Sequence, residues 1–262
     1  EAKHWWFSAR RSIFRHLVHS LVSDHASILD IGCGTGGNLA AVVRAGNATG
    51  VDASADAVEF AQTRYPHLRF EQRVVPDGIV DELARADLVM LTDVLEHVKD
   101  DFRYLSDLLA PMRPGTLLLL TVPAEEALWS PHDEAVLHYR RYDPPRLRTV
   151  WTGLPVHERL FSPFNSVIYP AIKLVRWATA KTGVAVGERE TDFSIPPMPV
   201  NVALAQAFAA ERFRLAAHVD QRARAFPFGV SLVAVLERRE GVLTPRSKPA
   251  SLPPDRFDPY AR

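Results

Sequence analysis

A run of alternating glycines after a short apolar segment constrains this chain more than any other feature. Residues 28–31 are followed by Gly32, Gly34 and Gly36, and an apolar helical repeat then begins over residues 37–45. This order predicts a buried strand, a tight turn and a helix, which together open a nucleotide-binding α/β unit. Glycines are needed where the backbone packs against a ligand, because a Cβ would be in the way.

Two acidic residues accompany the glycines. Asp30 lies inside the first predicted strand, and Asp52 closes the next apolar stretch, roughly 20 residues after the first glycine. An acidic side chain at the end of the second strand can hold both hydroxyls of a ribose. The spacing therefore predicts a cofactor that contains a nucleoside, with Asp52 and Ala53 beside its ribose.

A nicotinamide dehydrogenase is one class that fits these glycines. Gly32, Gly34 and Gly37 satisfy the pattern G-x-G-x-x-G, and Tyr169 and Lys173 have the Tyr-x-x-x-Lys spacing of short-chain dehydrogenases. A proline follows that tyrosine directly, however, and the pair lies far beyond the predicted fifth strand. We interpret the Tyr-x-x-x-Lys spacing as coincidental.

The acidic-x-Gly-x-Gly-x-Gly segment resembles motif I of the class I S-adenosylmethionine (SAM) methyltransferases. Residues 86–98 resemble the fourth-strand motif of that family with its Glu-His pair, here Glu96 and His97, and residues 108–123 resemble its helix, Pro-Gly turn and fifth strand. Order and spacing agree over residues 27–123. The His-Trp-Trp-Phe start with its paired arginines is similar to a bacterial small-molecule subgroup of these enzymes.

The resemblance implies SAM as the methyl donor, S-adenosylhomocysteine (SAH) as the product and a small molecule as the acceptor. The reaction it favours is O-methylation of a sugar or another secondary metabolite, with N- and C-methylation left open. A non-catalytic SAM-binding protein is a further alternative. The implied cofactor-binding residues are Trp6, Arg11, Asp30, Gly32, Cys33, Gly34, Gly36, Asp52, Ala53, Arg73, Val74, Thr92 and Asp93.

Two of these assignments concern the contacts to the methionine carboxylate and to the adenine of SAM. Arg10 or Arg11 is available to the methionine carboxylate through a charge-assisted bond. Arg73 and Val74 stand where many family members carry an acidic residue for the adenine amine. We therefore expect the backbone at those two positions to make the adenine contact.

Candidate bases follow the fourth and fifth predicted strands. Methyl transfer requires mainly that a nucleophile be aligned and relieved of its proton. Glu96 and His97 follow strand four, and residues 129–142 after strand five contain His132 and His138 with two carboxylates, two tyrosines and paired arginines. We predict His132 or His138 as the base, because an imidazole titrates near neutrality.

The paired arginines of this loop have two interpretations. Arg140 and Arg141 either orient an acidic or phosphorylated acceptor, or pair with Asp133 and Glu134.

Metal assistance is the alternative to a simple base. Asp93, Glu96, His97 and His138 resemble the Glu-x-x-Glu-His…His quartet of small-RNA 2′-O-methyltransferases, and a related set occurs in ubiquinone-pathway O-methyltransferases. Asp replaces the first glutamate of that quartet here. A set of carboxylates and imidazoles suits Mg²⁺ or Mn²⁺.

The alternation of apolar strands with helical segments predicts an α/β fold with a Rossmann-like, seven-stranded, mostly parallel sheet and helices on both faces. Strands are expected at 27–31, 48–52, 68–72, 87–91, 116–122, 156–161 and 229–236, and helices at 37–45, 54–64, 77–84, 100–109 and 144–150. We expect one methyltransferase domain over 1–240, with a helical flap at 1–22, a helical insertion at 163–227 and a Pro-rich irregular tail at 241–262.

The insertion precedes the last strand and has two predicted helical halves. An apolar half at 166–178 is joined to an Ala-rich half at 201–217 by a Pro-rich link at 195–199. The first half is too short and too charged to span a bilayer. We expect the face formed by Phe164, Val167, Ile168, Leu174, Val175 and Trp177 to cover the acceptor pocket as a lid. A homodimer contact and a peripheral membrane contact are the alternatives.

Composition limits the partners. The 31 Lys+Arg balance the 31 Asp+Glu, which argues against a nucleic acid held by a broad basic surface. Cys33 is the only cysteine, so no intrachain disulfide can form, and we expect it to pack as a small residue beside the cofactor. No signal peptide is visible, and a cytoplasmic location is expected.

Overall fold

A seven-stranded sheet forms the centre of the computed structural model, which describes residues 4–44, 47–76, 78–174 and 196–258. The strands are β1 (Ile28–Ile31), β2 (Ala48–Asp52), β3 (Arg69–Gln72), β4 (Leu88–Thr92), β5 (Leu117–Pro123), β6 (Val156–Phe164) and β7 (Ser231–Arg238). Their order is β3-β2-β1-β4-β5-β7-β6, and β7 is antiparallel to both of its neighbours. The expected Rossmann-like fold is confirmed, and each strand lies at or near its predicted position.

Helices cover both faces of this sheet. They are α1 (Trp5–Leu21), α2 (Gly37–Val42), α3 (Ala55–Arg64), α4 (Val80–Arg85), α5 (Asp101–Leu109), α6 (Pro131–Ala135), α7 (Pro144–Trp151), α8 (described over 169–174), α9 (Met198–Ala209) and α10 (Glu211–Val219). Side chains of β1, β4 and β5 are buried on both faces of the sheet, as expected of parallel strands between two helical layers. In β4, Val89 and Leu91 enter the core on the α5 and α7 side, whereas Leu88 and Met90 enter the core on the α1 and α2 side.

The N-terminal helix forms for local reasons and then packs on the insertion. The side chain of His4 caps α1 by accepting the N–H of Trp6. Ile13, Phe14 and Leu17 form part of its fully buried stripe. At its start, the N–H of Trp5 donates to the side-chain oxygen of Asn201 in α9, at 3.0 Å. The aromatic start of the chain therefore lies under an insertion helix.

The insertion differs from its prediction in three respects. The single helix expected over 201–217 is two helices, α9 and α10, which share Ala210 as a cap residue. The expected Pro-rich link is shorter, because Pro199 lies in the first turn of α9, where its missing N–H costs little. Phe164 is not on an exposed face. It is the fully buried last residue of β6.

Other parts of that predicted face are only partly described. Val167 and Leu174 are exposed, at 50% and 63% of their surface. Ile168 is half-buried, and Val175 and Trp177 lie outside the described residues. The lid, the dimer contact and the membrane contact all stay predictions. None of the helices in the described part of the chain is long and apolar enough to cross a membrane.

The C-terminal tail is irregular over 241–258, as predicted, and it packs onto the domain. Leu243 and Leu252 contact the core on the α5 side of the sheet. Asp255 accepts hydrogen bonds from Lys248, at 2.7 Å, and from Arg140, at 2.5 Å. The tail thus supports the loop that follows β5.

Candidate functional site

The glycine loop after β1 leaves an open space at the carboxyl edge of the sheet. Gly32 and Gly34 have φ angles of 69° and 52°, which residues with a side chain rarely adopt. A Cβ at Gly32 would lie 2.5 Å from the side chain of Val94, but a Cβ at Gly34 would meet nothing within 4 Å. The loop therefore packs tightly on one side and presents bare backbone to an empty cradle on the other.

Asp52 closes this cradle from the end of β2. One of its carboxylate oxygens accepts the N–H of Gly34 at 2.8 Å, and the other accepts the N–H of Ser54 at 2.9 Å. Because the carboxylate is fixed by two backbone groups, it is pre-oriented at the point where the sequence predicts a ribose. Ala53 beside it is exposed.

Asp30 is a buried carboxyl group in the middle of the sheet. Its side chain is completely buried, and neither oxygen has a hydrogen-bond partner among the described residues. Burial, and secondly the charge of Asp52, raise the pKa of Asp30 to about 8. A carboxylate of this kind suits a ligand that brings a cationic group.

The end of β4 is occupied by an ion pair with the N-terminal helix. Asp93 has a φ of 58° and forms a salt bridge with Arg10. Thr121 of β5 donates to Asp93 at 3.0 Å, while Thr92 accepts a hydrogen bond from Asn38. The sequence left Arg10 and Arg11 open as the arginine of the site, and the structure places Arg10 there.

Arg11 lies on a different side of α1. It lines a cleft of about 480 Å³ between α1 and α9, and one guanidinium nitrogen lies 3.7 Å from the Cβ position of Gly37. Trp6 packs against Phe208 of α9, with ring centroids 5.4 Å apart. Arg11 therefore borders the glycine loop, whereas the Trp6 ring lies under the guanidinium of Arg10, 5.6 Å from ring centroid to guanidinium carbon.

The adenine side of the cradle has few fixed contacts. The N–H of Arg73 donates to the carbonyl of Asp52 at 2.9 Å, and its guanidinium pairs with Glu71. Val74 is 75% exposed. Cys33 is buried against the loop, and burial raises the pKa of its thiol, so it serves as a small packing residue.

Glu96, His97 and His138 meet beyond the end of β4. One ligand-type atom from each residue lies within 4.8 Å of the others, and the two imidazole rings are edge to face with centroids 4.7 Å apart. Glu96 is fully buried, and neither oxygen is hydrogen-bonded to another described residue. We call these three residues the Glu–His–His cluster.

Burial is the largest cause of the pKa shifts of Glu96 and His97. Burial, followed by the charge of Asp93, raises the pKa of Glu96 well above its usual range. Desolvation of the ring, together with the nearby His138, lowers the pKa of His97 to about 4. At pH 7 the His97 ring therefore has an unprotonated nitrogen that can accept a hydrogen bond or bind an electrophile.

Asp133 orients His138. Its carboxylate accepts from the Nδ1 of His138 at 3.0 Å, from the Nε of Arg141 at 2.8 Å and from the N–H of Ser130 at 2.8 Å. Burial alone would raise the pKa of Asp133, but the His138 hydrogen bond and the Arg141 charge hold it well below its usual range. An ionised carboxylate only accepts, so His138 donates from Nδ1 and its Nε2 is left as an acceptor.

The other predicted residues of this loop lie outside the Glu–His–His cluster. His132 is half-buried in α6 and lies outside the Glu–His–His cluster. Arg141 is engaged by Asp133, and Arg140 donates to Asp255 and to the carbonyls of Val98 and Lys99. The interpretation in which the arginines pair within the protein is therefore the one the structure favours. Their main acidic partners are Asp133 and Asp255 rather than the expected pair of Asp133 and Glu134.

The predicted metal quartet is wrong in one member. Asp93 is bound to Arg10 and Thr121 and does not belong to the group formed by Glu96, His97 and His138. The Arg10 contact that removes Asp93 joins two segments more than 80 positions apart, so residue spacing alone does not reveal it.

Sequence reasoning missed Asn165 and Glu125 at the same edge, and it interpreted the spacing of Tyr169 and Lys173 as coincidental. Asn165 directly follows β6 with a φ of 60°, is fully buried, and its amide oxygen and nitrogen have no partner among the described residues. Tyr169 donates to Glu125 at 2.6 Å and accepts from Lys173 at 2.7 Å. The Tyr-x-x-x-Lys pair thus does meet in space, but it is tied to the loop after β5.

A backbone signal connects these residues. Asp93, Glu125 and Asn165 have positive φ angles of 58°, 54° and 60°, and each lies within two residues of the end of β4, β5 or β6. Such conformations cost of order 1–3 kcal/mol and concentrate at functional edges. Of these three positive φ angles, the sequence could indicate the one at Asn165, because asparagine tolerates the left-handed region and here directly follows β6.

Comparison with known proteins identifies the family. A family profile described as a methyltransferase domain matches residues 6–165. The chain belongs to this methyltransferase domain family. It is 27% identical over 128 residues to a probable S-adenosylmethionine-dependent methyltransferase of Mycolicibacterium smegmatis, and the match covers 46% of each chain.

Two further similarities are informative. The chain is 36% identical over 136 residues to trans-aconitate 2-methyltransferase of Deinococcus radiodurans, which covers 49% of this chain and 48% of the relative. It spans about half the length of the curated relatives that it matches. Its fold is similar to that of a plantazolicin methyltransferase in complex with a triazolic desmethylPZN analog and SAH, with a TM-score of 0.54, 16% identity, and coverage of 90% of this chain and 86% of the other.

Proposed function

We propose that this protein transfers a methyl group from SAM to an oxygen of a small molecule. The observation that carries the proposal is the buried, unpartnered carboxylate of Asp30 beside the open cradle at Gly34. A dinucleotide brings phosphates to the glycine loop and offers Asp30 no cationic partner. A nucleoside that carries a cationic amino-acid portion fits the same charges.

Each donor-side residue then has a defined role. Asp52 would bind the ribose hydroxyls, Gly34 would allow the methionine portion to lie against the backbone, and Asp30 would balance the positive charge. Arg10, held by Asp93, would close the N-terminal side. When bound, SAM supplies a methyl group that is already activated for displacement.

The acceptor side is assigned to the Glu–His–His cluster. It follows β4 directly, and its two imidazoles can accept a hydrogen bond or a proton from a hydroxyl group. His138 is favoured over His132 because Asp133 fixes its ring. The trans-aconitate methyltransferase relative supports a small acceptor with oxygen atoms. A sugar or another secondary metabolite remains the working substrate class.

Mg²⁺ is not part of this proposal. That ion prefers an octahedral set of oxygen ligands. With Asp93 held by Arg10, the cluster offers two imidazoles and a single carboxylate.

Calorimetric titration tests the donor. We expect SAM and SAH to bind with micromolar affinity and NAD not to bind. Asp52→Ala should weaken SAH binding about 10- to 100-fold, since charge-assisted hydrogen bonds are worth about 1.5–3 kcal/mol. Binding of NAD, or of neither sulfur ligand, would overturn the proposal.

A pair of histidine variants tests the acceptor side after an acceptor has been found by screening. His138→Asn should lose most of its turnover while its affinity for SAH stays unchanged. His132→Asn is the matched control, because it changes a histidine of the same loop outside the cluster, and it should stay active. Full turnover in His138→Asn would remove the cluster from the reaction.

A further inference from the structure

The methyl donor does not account for the Glu–His–His cluster. Glu96 is a completely buried carboxylate, and neither oxygen is bonded to another described residue. Leaving such a group unpaired is costly, and the cost falls when it is paired with a cation or bound to a metal. Two imidazoles bring their ligand atoms close to Glu96, whereas the nearby Arg10 and Arg141 are paired with Asp93 and Asp133 and influence its pKa less than burial does.

We propose that Glu96, His97 and His138 form a three-ligand site for a divalent transition-metal ion such as Zn²⁺ or Co²⁺. Two imidazole nitrogens and one carboxylate oxygen are a donor set that Zn²⁺ and its neighbours in the first transition row accept. Three protein ligands leave at least one coordination position for an oxygen atom from water or substrate.

Both imidazoles are held in the way that metal-bound histidines usually are. The Nδ1 of His138 donates to Asp133, so its Nε2 is available to an ion. The ring of His97 is hydrogen-bonded to the backbone of Leu137. Leu137 itself has a φ of 62°, which is uncommon for a leucine. The backbone at Leu137 is therefore held in a strained conformation in which it can hydrogen-bond to His97.

The distances leave room for an ion to draw the ligands together. The ligand atoms lie within 4.8 Å of one another. Tetrahedral coordination at about 2.1 Å requires ligand atoms that lie roughly 3.4 Å from one another. Rotation of the side chains that moves these atoms by about 1 Å would complete the site. His97 is exposed and provides the route of entry.

The role of the ion rests on the proposed function. An acceptor oxygen bound at the open position would lie next to the methyl donor side, and its hydroxyl group would be more acidic than in water. Metal binding itself needs neither SAM nor acceptor, so it can be tested separately.

Cobalt titration of the full chain provides that test. The protein is prepared without a polyhistidine tag and stripped with a chelator, and Co²⁺ binding is followed by visible absorption and by metal content after dialysis. We expect one Co²⁺ per chain with micromolar or tighter affinity, displaced by Zn²⁺ and not by an equal concentration of Mg²⁺. Glu96→Gln and His97→Asn should each weaken Co²⁺ binding at least 10-fold.

His132→Asn is the control and should bind Co²⁺ as the wild type does. His97→Asn guards against misfolding, because an exposed histidine can be replaced without disturbing the core. Equal Co²⁺ affinity in the wild type and in His97→Asn, or displacement by equimolar Mg²⁺, would overturn the site. SAH binding is measured on the same preparations. A variant that keeps SAH affinity but loses Co²⁺ confirms the metal site independently of the methyl donor, and failure of SAH binding in the wild type concerns the proposed function alone.

Discussion

The two sides of the candidate site are built from different materials. On the donor side, residues 30–36 and Asp52 form a cradle from backbone and a few contacts between adjacent strands. On the acceptor side, residues 129–142 are held by side chains whose partners lie far along the chain, such as Arg140 with Asp255. The shape of the donor side therefore depends on backbone conformation, and the shape of the acceptor side depends on buried ionic contacts.

This difference teaches where each side can change. A backbone cradle tolerates few residue types but needs no distant partner. In the loop of residues 129–142, a side-chain substitution can change which acceptor binds. Each such substitution must keep the buried Asp133 paired with Arg141. We expect substitutions on the acceptor side to affect stability most, and those on the donor side to affect ligand affinity.

The largest effect should come from Asp133→Ala. It leaves Arg141 and His138 without their buried partner, and we expect the free energy of unfolding to fall by about 3–5 kcal/mol. Urea denaturation measures this loss. Asp107→Ala removes an exposed partner of Arg103 and should cost less than about 1 kcal/mol. Similar losses in the two variants would contradict the distinction between the two sides.

A smaller effect should separate strain from ligand contact in the cradle. Gly34 and Gly115 both have positive φ angles, 52° and 91°, and a Cβ at either would meet nothing within 4 Å. Gly34→Ala and Gly115→Ala should each cost about 1–2 kcal/mol of stability. Only Gly34→Ala should also weaken SAH binding, at least 10-fold by calorimetry, because its methyl group enters the cradle. Unchanged affinity in Gly34→Ala would place the cofactor elsewhere.

The smallest effect should be a pH dependence that arises from Asp30. Burial raises its pKa to about 8 in the folded protein, whereas an unfolded aspartate titrates near 3.9. The folded state is therefore stabilised while Asp30 is protonated, and this stability is lost as the pH rises through 8. Between pH 7 and pH 9 the wild type should lose about 1 kcal/mol relative to Asp30→Asn in urea denaturation. Parallel curves for the two proteins would show that Asp30 is already ionised.

The sequence predicted the donor side in detail because its signals are local. Glycines, a strand end and Asp52 occur within about 20 residues, and their spacing carries the chemistry. The seven strands were also predictable, since strand and helix periods differ. The break at Ala210 was not, because neither that residue nor its neighbours carries a turn signal.

The acceptor side was predictable only as a set of candidates. Composition identified His132 and His138 together, but the choice between them depends on the hydrogen bond of His138 to Asp133 and on its position beside Glu96 and His97. Likewise, the separation of Asp93 from Glu96 depends on Arg10, which lies more than 80 positions earlier. Neither the local contact between Asp133 and His138 nor the long-range pair of Arg10 and Asp93 has a periodic signature in the sequence.

The position of β7 in the sheet determines when the protein can fold during its synthesis. β7 is the last of the described strands in chain order, yet it lies between β5 and β6 and supplies the described pairing of β6. Until residue 238 has left the ribosome, β5 has an open apolar edge and β6 is without its neighbour. Translation at about 5–20 residues per second makes this interval several seconds long. The nascent chain is therefore exposed to edge-to-edge aggregation for a time set by the length of its own insertion.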